Sequence, residues 1–395
     1  MPIPDRHRTT PLTDELLHGV VELERTHDGV IPHRLPAWAR NQAHDPQLAM
    51  AEAQPSGARL LVTTEARRIE LRGRATRFRY EGAPPRPTGV FDLLIDGRHV
   101  RQAVLDAATV VSIDMTTGDR RITHGEIGGV VFADLPPGPK TVELWLPHNE
   151  TVELAEIRSD APVQPVRDPR PVWVHHGSSI SHGSNALHPT GTWPTVAARL
   201  ADLNLLNLGF GGSALLDPFT ARTIRDTPAE LISVKLGINL VNLDVMRLRA
   251  FGPAVHGFLD TIREGHPHTP LLVISPILCP IHEHTPGPGA FDPDALTRGE
   301  MRFQATGDPG EVAAGKLTLT VIREQLARIV AERAQEDPHL FHLDGRELYG
   351  EPDARELPLP DALHPDASAH RRIGQRFADL ALSPGSPLGT ERRLD

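Results

Sequence analysis

The stretch PVWVHHGSSISHG, residues 171–183, sets a compact apolar run against a turn rich in glycine and serine. The run is too short for a helix and too uniformly apolar for a half-exposed strand, so it reads as a strand buried on both faces. The same pattern returns at 203–208 (LNLLNL), 231–236 (LISVKL), 271–275 (LLVIS) and 340–343 (LFHL). Helical patterns occupy 195–203, 250–264, 311–335 and 367–382. Strands that alternate with helices predict a parallel sheet between two helical layers, a three-layer α/β domain.

Upstream the rhythm differs. Short β-type runs at 59–64 (RLLVTT), 68–72 (RIELR) and 75–80 (ATRFRY) follow one another closely. The run at 89–95 meets Asp96-Gly97, a strong hairpin signal, and continues into 99–105. Runs at 130–135, 141–146 and 151–157, with Pro136-Pro137-Gly138 between the first two, repeat the pattern. Alternating apolar residues at this spacing predict an antiparallel β-sandwich. The expected organisation is a sandwich domain over 1–165, an α/β domain over 170–384 and a flexible tail over 385–395. The proline-rich stretch 160–170 (DAPVQPVRDPR) reads as a linker, and 279–309, long and without periodicity, as a lid or substrate wall.

Composition narrows the function classes. Of 395 residues, 39% are hydrophobic and 23% charged, the balance of a soluble globular protein. A net charge of -10 speaks against a nucleic-acid partner, which requires clustered basic residues. A single cysteine, Cys279, excludes an intrachain disulfide framework. The opening MPIPDRHRTTPLTDELLHG has no apolar core of an export signal, and no run is long enough to span a membrane. The expected compartment is the cytoplasm, with no membrane partner.

Four short blocks carry residue types suited to acyl transfer. Gly177-Ser178-Ser179-Ile180-Ser181 follows the first strand of the α/β domain, where open sheets bind ligands. Asp361-Ala362-Leu363-His364-Pro365 precedes the last helix; an imidazole can take a serine's proton while a carboxylate fixes its tautomer. Asn207-Leu208-Gly209-Phe210-Gly211-Gly212-Ser213 and Gly237-Ile238-Asn239 follow the second and third strands. Glycine N–H groups and an asparagine amide are suitable donors to a developing oxyanion. Alone, each block is also readable as a tight turn; together they lie at one end of one predicted sheet.

In order and spacing these blocks resemble those of the GDSL/SGNH hydrolases and acyltransferases: GSSIS the GDSxS block, NLGFGGS the glycine block, GIN the GxND block and DALHP the DxxHP block. The resemblance covers about residues 171–383 and implies the flavodoxin-like SGNH fold. It implies Ser179 as nucleophile, His364 as general base and Asp361 as its orienter. It further implies the backbone N–H groups of Ser179 and Gly212 and the Asn239 side chain as the oxyanion hole, with Gly211 competing for the glycine position. Ser178 and Leu240 depart from the family pattern, each standing where the family has Asp. The amino-terminal sandwich resembles the jelly-roll-like domain of some carbohydrate deacetylases and of acyltransferases that load acyl groups such as salicyl from CoA thioesters onto aromatic polyketides.

Two other readings of single residues compete. His175, His176, His182 and His188, or His282 with His284, would suggest a metal cluster, but neither set has ligand spacing, and no metal is expected. Cys279 reads as a buried thiol. Trp38, Trp145, Trp173 and Trp193 read as core or interface residues, Trp193 being near enough to the serine turn to line a pocket. The expected activity is a two-step acyl transfer to a small-molecule hydroxyl in natural-product tailoring, or else to water as an esterase. No bound cofactor is expected, acyl-CoA serving as co-substrate. Partners are a small-molecule acyl donor and acceptor, with the sandwich walling the site or mediating a homodimer. A non-catalytic carbohydrate-binding protein is the reading from another class.

Overall fold

Asp96 and Gly97 take φ values of 48° and 75°. Positive φ at both central residues is what a two-residue hairpin loop needs. They join Val90–Ile95 to Arg98–Val104 in antiparallel register. The structure is a computed structural model and describes residues 7–82, 84–114 and 117–389. Its chain forms two compact units. The first runs to Pro36, resumes over Glu52–Pro169 and takes in Leu187–Thr190; the second holds Ala37–Ala51, Arg170–Ala186 and the chain from Gly191 onward.

The first unit contains an eight-stranded and a six-stranded sheet. Ile69–Glu81 and Thr151–Ser159, neighbours in the larger sheet, alternate between buried and less buried residues, so each offers one apolar face. Leu71, Val130, Phe132, Val152 and Leu154 from that sheet share one core with Leu60, Val62, Leu93, Val142 and Leu144 from the smaller one, which makes the unit a sandwich. Pairing is antiparallel except between Ile69–Glu81 and Ala108–Asp114, which run parallel. The stretch read as a linker is partly structured: Val163–Pro165 pairs with Arg59–Thr64 as an edge strand, where proline is tolerated. Asp168 also ion-pairs with the fully buried Arg59.

The second unit is built on five parallel strands in the order Asn204–Gly209, Val172–Gly177, Leu231–Lys235, Leu271–Ile274, Leu340–Leu343. Their residues are almost all buried, as the continuous apolar runs require. Helices Trp193–Leu200, Leu248–Gly265, Leu319–Arg333 and Ala367–Phe377 accompany them. Because the strands are parallel, the three leading into the serine, glycine and asparagine blocks end at the same sheet edge.

Two expectations need correction. Residues 37–51, read as part of the sandwich region, form helix Ala37–Ala43 and most of helix Pro46–Ala53, and they belong to the second unit. The tail read as loose is ordered through residue 389: Leu388 is buried and its N–H donates to the Ala381 carbonyl. The rest of that tail, 390–395, lies outside the described residues, as do residues 1–6 of the segment read for an export signal. Among the described residues no helix is long and apolar enough to cross a membrane.

Candidate active site

Ser179 opens a single helical turn, Ser179–His182, directly after the strand Val172–Gly177. Gly183 closes it at φ 113°, donating its N–H to the Ser179 carbonyl. The turn is braced from beneath by groups already fixed in the sheet. Trp173 Nε1 donates to Ser233 Oγ at 2.9 Å. Ser233 Oγ lies 2.7 Å from His175 Nδ1, and His175 Nε2 lies 2.8 Å from Ser181 Oγ. The His175 ring thus bridges the Ser233 and Ser181 hydroxyls, one nitrogen donating and the other accepting. Burial, helped by the neighbouring His176 and Lys235, pushes the His175 pKa well below its usual value, so this bridge is a neutral imidazole. Asn207 completes the brace, donating to the Ser181 carbonyl at 2.8 Å.

The imidazole of His364 arrives from the other end of the chain. Asp361 Oδ1 accepts the N–H groups of Leu363 (2.9 Å) and His364 (2.6 Å), which folds the DALHP stretch back on itself with Ala362 at φ 67°. Oδ2 faces His364 Nδ1 at 2.8 Å and accepts from the Asn185 amide at 3.2 Å. The opposite imidazole nitrogen, Nε2, stands 2.9 Å from Ser179 Oγ. Burial pushes the Asp361 pKa up, but the hydrogen bond and charge of His364 and the two backbone donors outweigh it, and the net shift is downward. Asp366 caps the following helix through the Ala369 N–H, at 2.8 Å.

The two donor blocks complete the edge. Gly212 has φ 75°, a conformation that favours glycine. Gly211 donates its N–H to His182 Nδ1 at 3.3 Å, whereas among the described residues the Gly212 N–H has no internal acceptor. Gly237 starts helix Ile238–Asn242 at φ 126°, and a Cβ there would lie 2.7 Å from Ile322 Cγ2. Asn239 accepts the Ala214 N–H through Oδ1 at 3.1 Å, which fixes its amide orientation and leaves the NH2 as the other end.

Several contributors carried no local signal. Gln47, from the segment misplaced above, donates to the Gly211 carbonyl at 2.8 Å and so clamps the glycine turn. Asn185 holds the carboxylate of Asp361. The stretch read as a lid or substrate wall holds a small hairpin, Gly289–Phe291 against Phe303–Ala305, whose Phe303 N–H donates to the Asp361 carbonyl at 2.8 Å.

The histidines weighed as metal ligands lie apart. His175 and His176 are buried in the sheet, His188 faces Asp92 in the first unit, and His282 lies against the Thr285 carbonyl. Among the described residues no three His, Cys, Asp or Glu side chains are arranged to hold a metal. Cys279 is buried and its thiol pKa is pushed up to about 12, first by burial and then by Glu283. Trp193 lines no opening; it is fully buried against Trp173, His175 and Phe377. Trp38 lies instead at the surface, beneath the Arg222 guanidinium.

Asp217, which precedes helix Pro218–Asp226, is raised to about 6 by burial and then by the charge of Asp45. An acid with a raised folded-state pKa holds more protons folded than unfolded between 3.8 and about 6. Stability therefore falls as pH rises through that window. Asp217→Asn removes the charge and keeps a carbonyl acceptor, so it is expected to stabilise the fold near neutrality by on the order of 1 kcal/mol after allowance for partial exposure. Thermal unfolding should show a higher Tm near neutral pH and no gain below about pH 4. An equal gain at both would assign the effect to something other than the charge.

Comparison with known proteins finds relatives of both parts of the chain. Residues 16–154 match the SsfX3 N-terminal domain, and residues 170–280 match the GDSL-like Lipase/Acylhydrolase family. Among solved structures, the salicylyl-acyltransferase SsfX3 from a tetracycline biosynthetic pathway is 28% identical, with 94% of this chain and 95% of that one covered and a TM-score of 0.77. A GDSL-like lipase from Bacteroides ovatus is 18% identical over 94% of this chain and 96% of its own, with a TM-score of 0.65. A family two carbohydrate esterase from Cellvibrio japonicus is 12% identical over 94% and 96%, with a TM-score of 0.55. The last two are likenesses of fold. No curated protein matches the chain significantly. The chain is thus similar over residues 16–154 to the SsfX3 N-terminal domain, over residues 170–280 to the GDSL-like Lipase/Acylhydrolase family, and along nearly its whole length to one salicylyl-acyltransferase.

Proposed function

We propose that the chain is a serine acyltransferase that carries an acyl group from a thioester or ester, through Ser179, to the hydroxyl of a small molecule. The observation that carries this reading is the unbroken relay of Ser179 Oγ, His364 and Asp361, with contacts of 2.9 and 2.8 Å. His364 Nε2 takes the serine proton as Oγ attacks the acyl carbon, and Asp361 holds the imidazole and stabilises its charged form. The carbonyl oxygen, turning anionic, is received by the N–H groups of Ser179 and Gly212 and the amide of Asn239. That Gly211 already donates to His182 supports Gly212 as the glycine donor. Collapse expels the donor's leaving group with the proton from His364. The acceptor hydroxyl then repeats the steps in reverse, returning the proton to Ser179.

No bound cofactor is needed; an acyl-CoA would enter as co-substrate. The 28% identity to a salicylyl-acyltransferase along nearly the whole chain supports transfer in natural-product tailoring over hydrolysis. Because the same residues would serve water as acceptor, a donor panel is the test. Intact-protein mass spectrometry after brief exposure to acyl-CoA thioesters and acetyl esters is expected to show a Ser179 adduct from one particular thioester. Rapid acetyl-ester hydrolysis, with no adduct from any thioester, would make the protein an esterase.

A further inference from the structure

The hairpin of Gly289–Phe291 and Phe303–Ala305 sets an aromatic ring on the catalytic imidazole. The rings of Phe303 and His364 have centroids 5.6 Å apart and planes 76° apart, an edge-to-face contact. Phe291, directly opposite in the hairpin register, backs the Phe303 ring at 4.9 Å. One bond ties the hairpin to the triad stretch, and two more close its open end. Phe303 N–H donates to the Asp361 carbonyl, and Thr306 donates its N–H and its hydroxyl to the Pro288 carbonyl at 2.9 and 2.8 Å.

Neither phenyl group is filling a core. Phe91, Phe132, Phe210, Phe251 and Phe377 are all fully buried, whereas Phe291 and Phe303 stay partly open to solvent. A partly open ring packed on a catalytic imidazole is placed to stack on a molecule bound beside it.

Which molecule follows from the chemistry of His364. Its Nε2 gives a proton to the departing leaving group and later takes one from the incoming acceptor. Those two groups must therefore occupy the imidazole side of the acyl carbon, opposite the oxyanion donors. The ring resting on His364 borders that side.

We propose that Phe303, backed by Phe291, determines acceptor specificity, receiving a flat, largely apolar hydroxyl compound such as a phenol or naphthol in preference to water or a sugar. This rests on the acyl-transfer reading of Ser179. Phe303 takes no part in the proton movements; it selects what stands next to His364.

The test uses a vinyl ester as acyl donor, whose small leaving group makes little demand on the ring. Ser179 Oγ bonds to the acyl carbon as the enolate oxygen leaves with the proton from His364, and the enol becomes acetaldehyde. The acyl-enzyme then divides between water and 2-naphthol, read as acid against naphthyl ester, with glycerol as a polar control acceptor. In the unaltered protein naphthol is expected to outcompete glycerol at equal concentration. Phe303→Ala should shift the naphthol-to-water partition roughly tenfold towards water, with the acetaldehyde burst from Ser179 acylation retained. Phe303→Tyr should restore the partition, and Phe303→Leu, which keeps apolar bulk without the ring, should restore it in part. An unchanged partition in both Phe303→Ala and Phe303→Leu, with the burst intact, would overturn the proposal. No burst in the unaltered protein would instead remove the acyl-transfer reading beneath it.

Discussion

Ser179→Ala is expected to lower kcat by about 10⁴- to 10⁶-fold, the loss seen when a serine nucleophile is removed from a triad that works as a unit. The hydroxyl contacts His364 Nε2 and is only half-buried, so its deletion leaves no cavity and no orphaned buried group of consequence. Stability should therefore stay within about 0.5 kcal/mol of the unaltered protein. Turnover of the best donor and the melting temperature, measured together, separate loss of chemistry from loss of fold. A variant that keeps full activity would show that the relay is not the catalytic device.

Asp361→Asn is the second large effect, about 10⁴-fold in kcat. An asparagine in this place can still accept the N–H groups of Leu363 and His364 through one oxygen, so the turn should persist. The other end of the amide, an NH2, would then meet His364 Nδ1, a position now facing a carboxylate oxygen. That arrangement selects the tautomer with a proton on Nε2, the wrong one for accepting the serine proton, and removes the charge that stabilises the imidazolium. The downward shift of the Asp361 pKa means that the native carboxylate is ionised throughout the neutral range. The sign of the stability effect follows: a depressed acid adds stability above its unfolded pKa, and this is lost as pH falls through the folded value. The variant should accordingly lose its small stability deficit in acid while its kinetic deficit persists near neutrality. A variant within tenfold of the unaltered kcat would mean that Asp361 orients nothing.

The parallel sheet was legible because each of its strands is a short apolar run flanked by turn residues. A strand buried on both faces imposes that pattern locally. Val172–Gly177 and its four neighbours lie where the runs predict, within a residue or two. The relay was legible for a related reason. Ser179 and His364 are 185 positions apart, but each sits in a block of a few residues next to a regular element, and parallel strands bring such blocks to one edge. The helices at 37–53 left little trace, because AWARNQA and PQLAMAEA are rich in alanine and offer weak contrast between faces.

The sequence alone determined the two architectures, the order of the strands' turns and the identities of the serine, histidine and aspartate at the sheet edge. Only the tertiary structure decided which of two glycines has its N–H committed to His182, that Gln47 clamps their turn from 164 residues away, that His175 bridges Ser233 and Ser181, and that Phe303 lies on His364. Motifs record contacts made between near neighbours in the chain. These side chains meet through folding of distant segments, and the energy of each contact depends on a partner that no local pattern specifies.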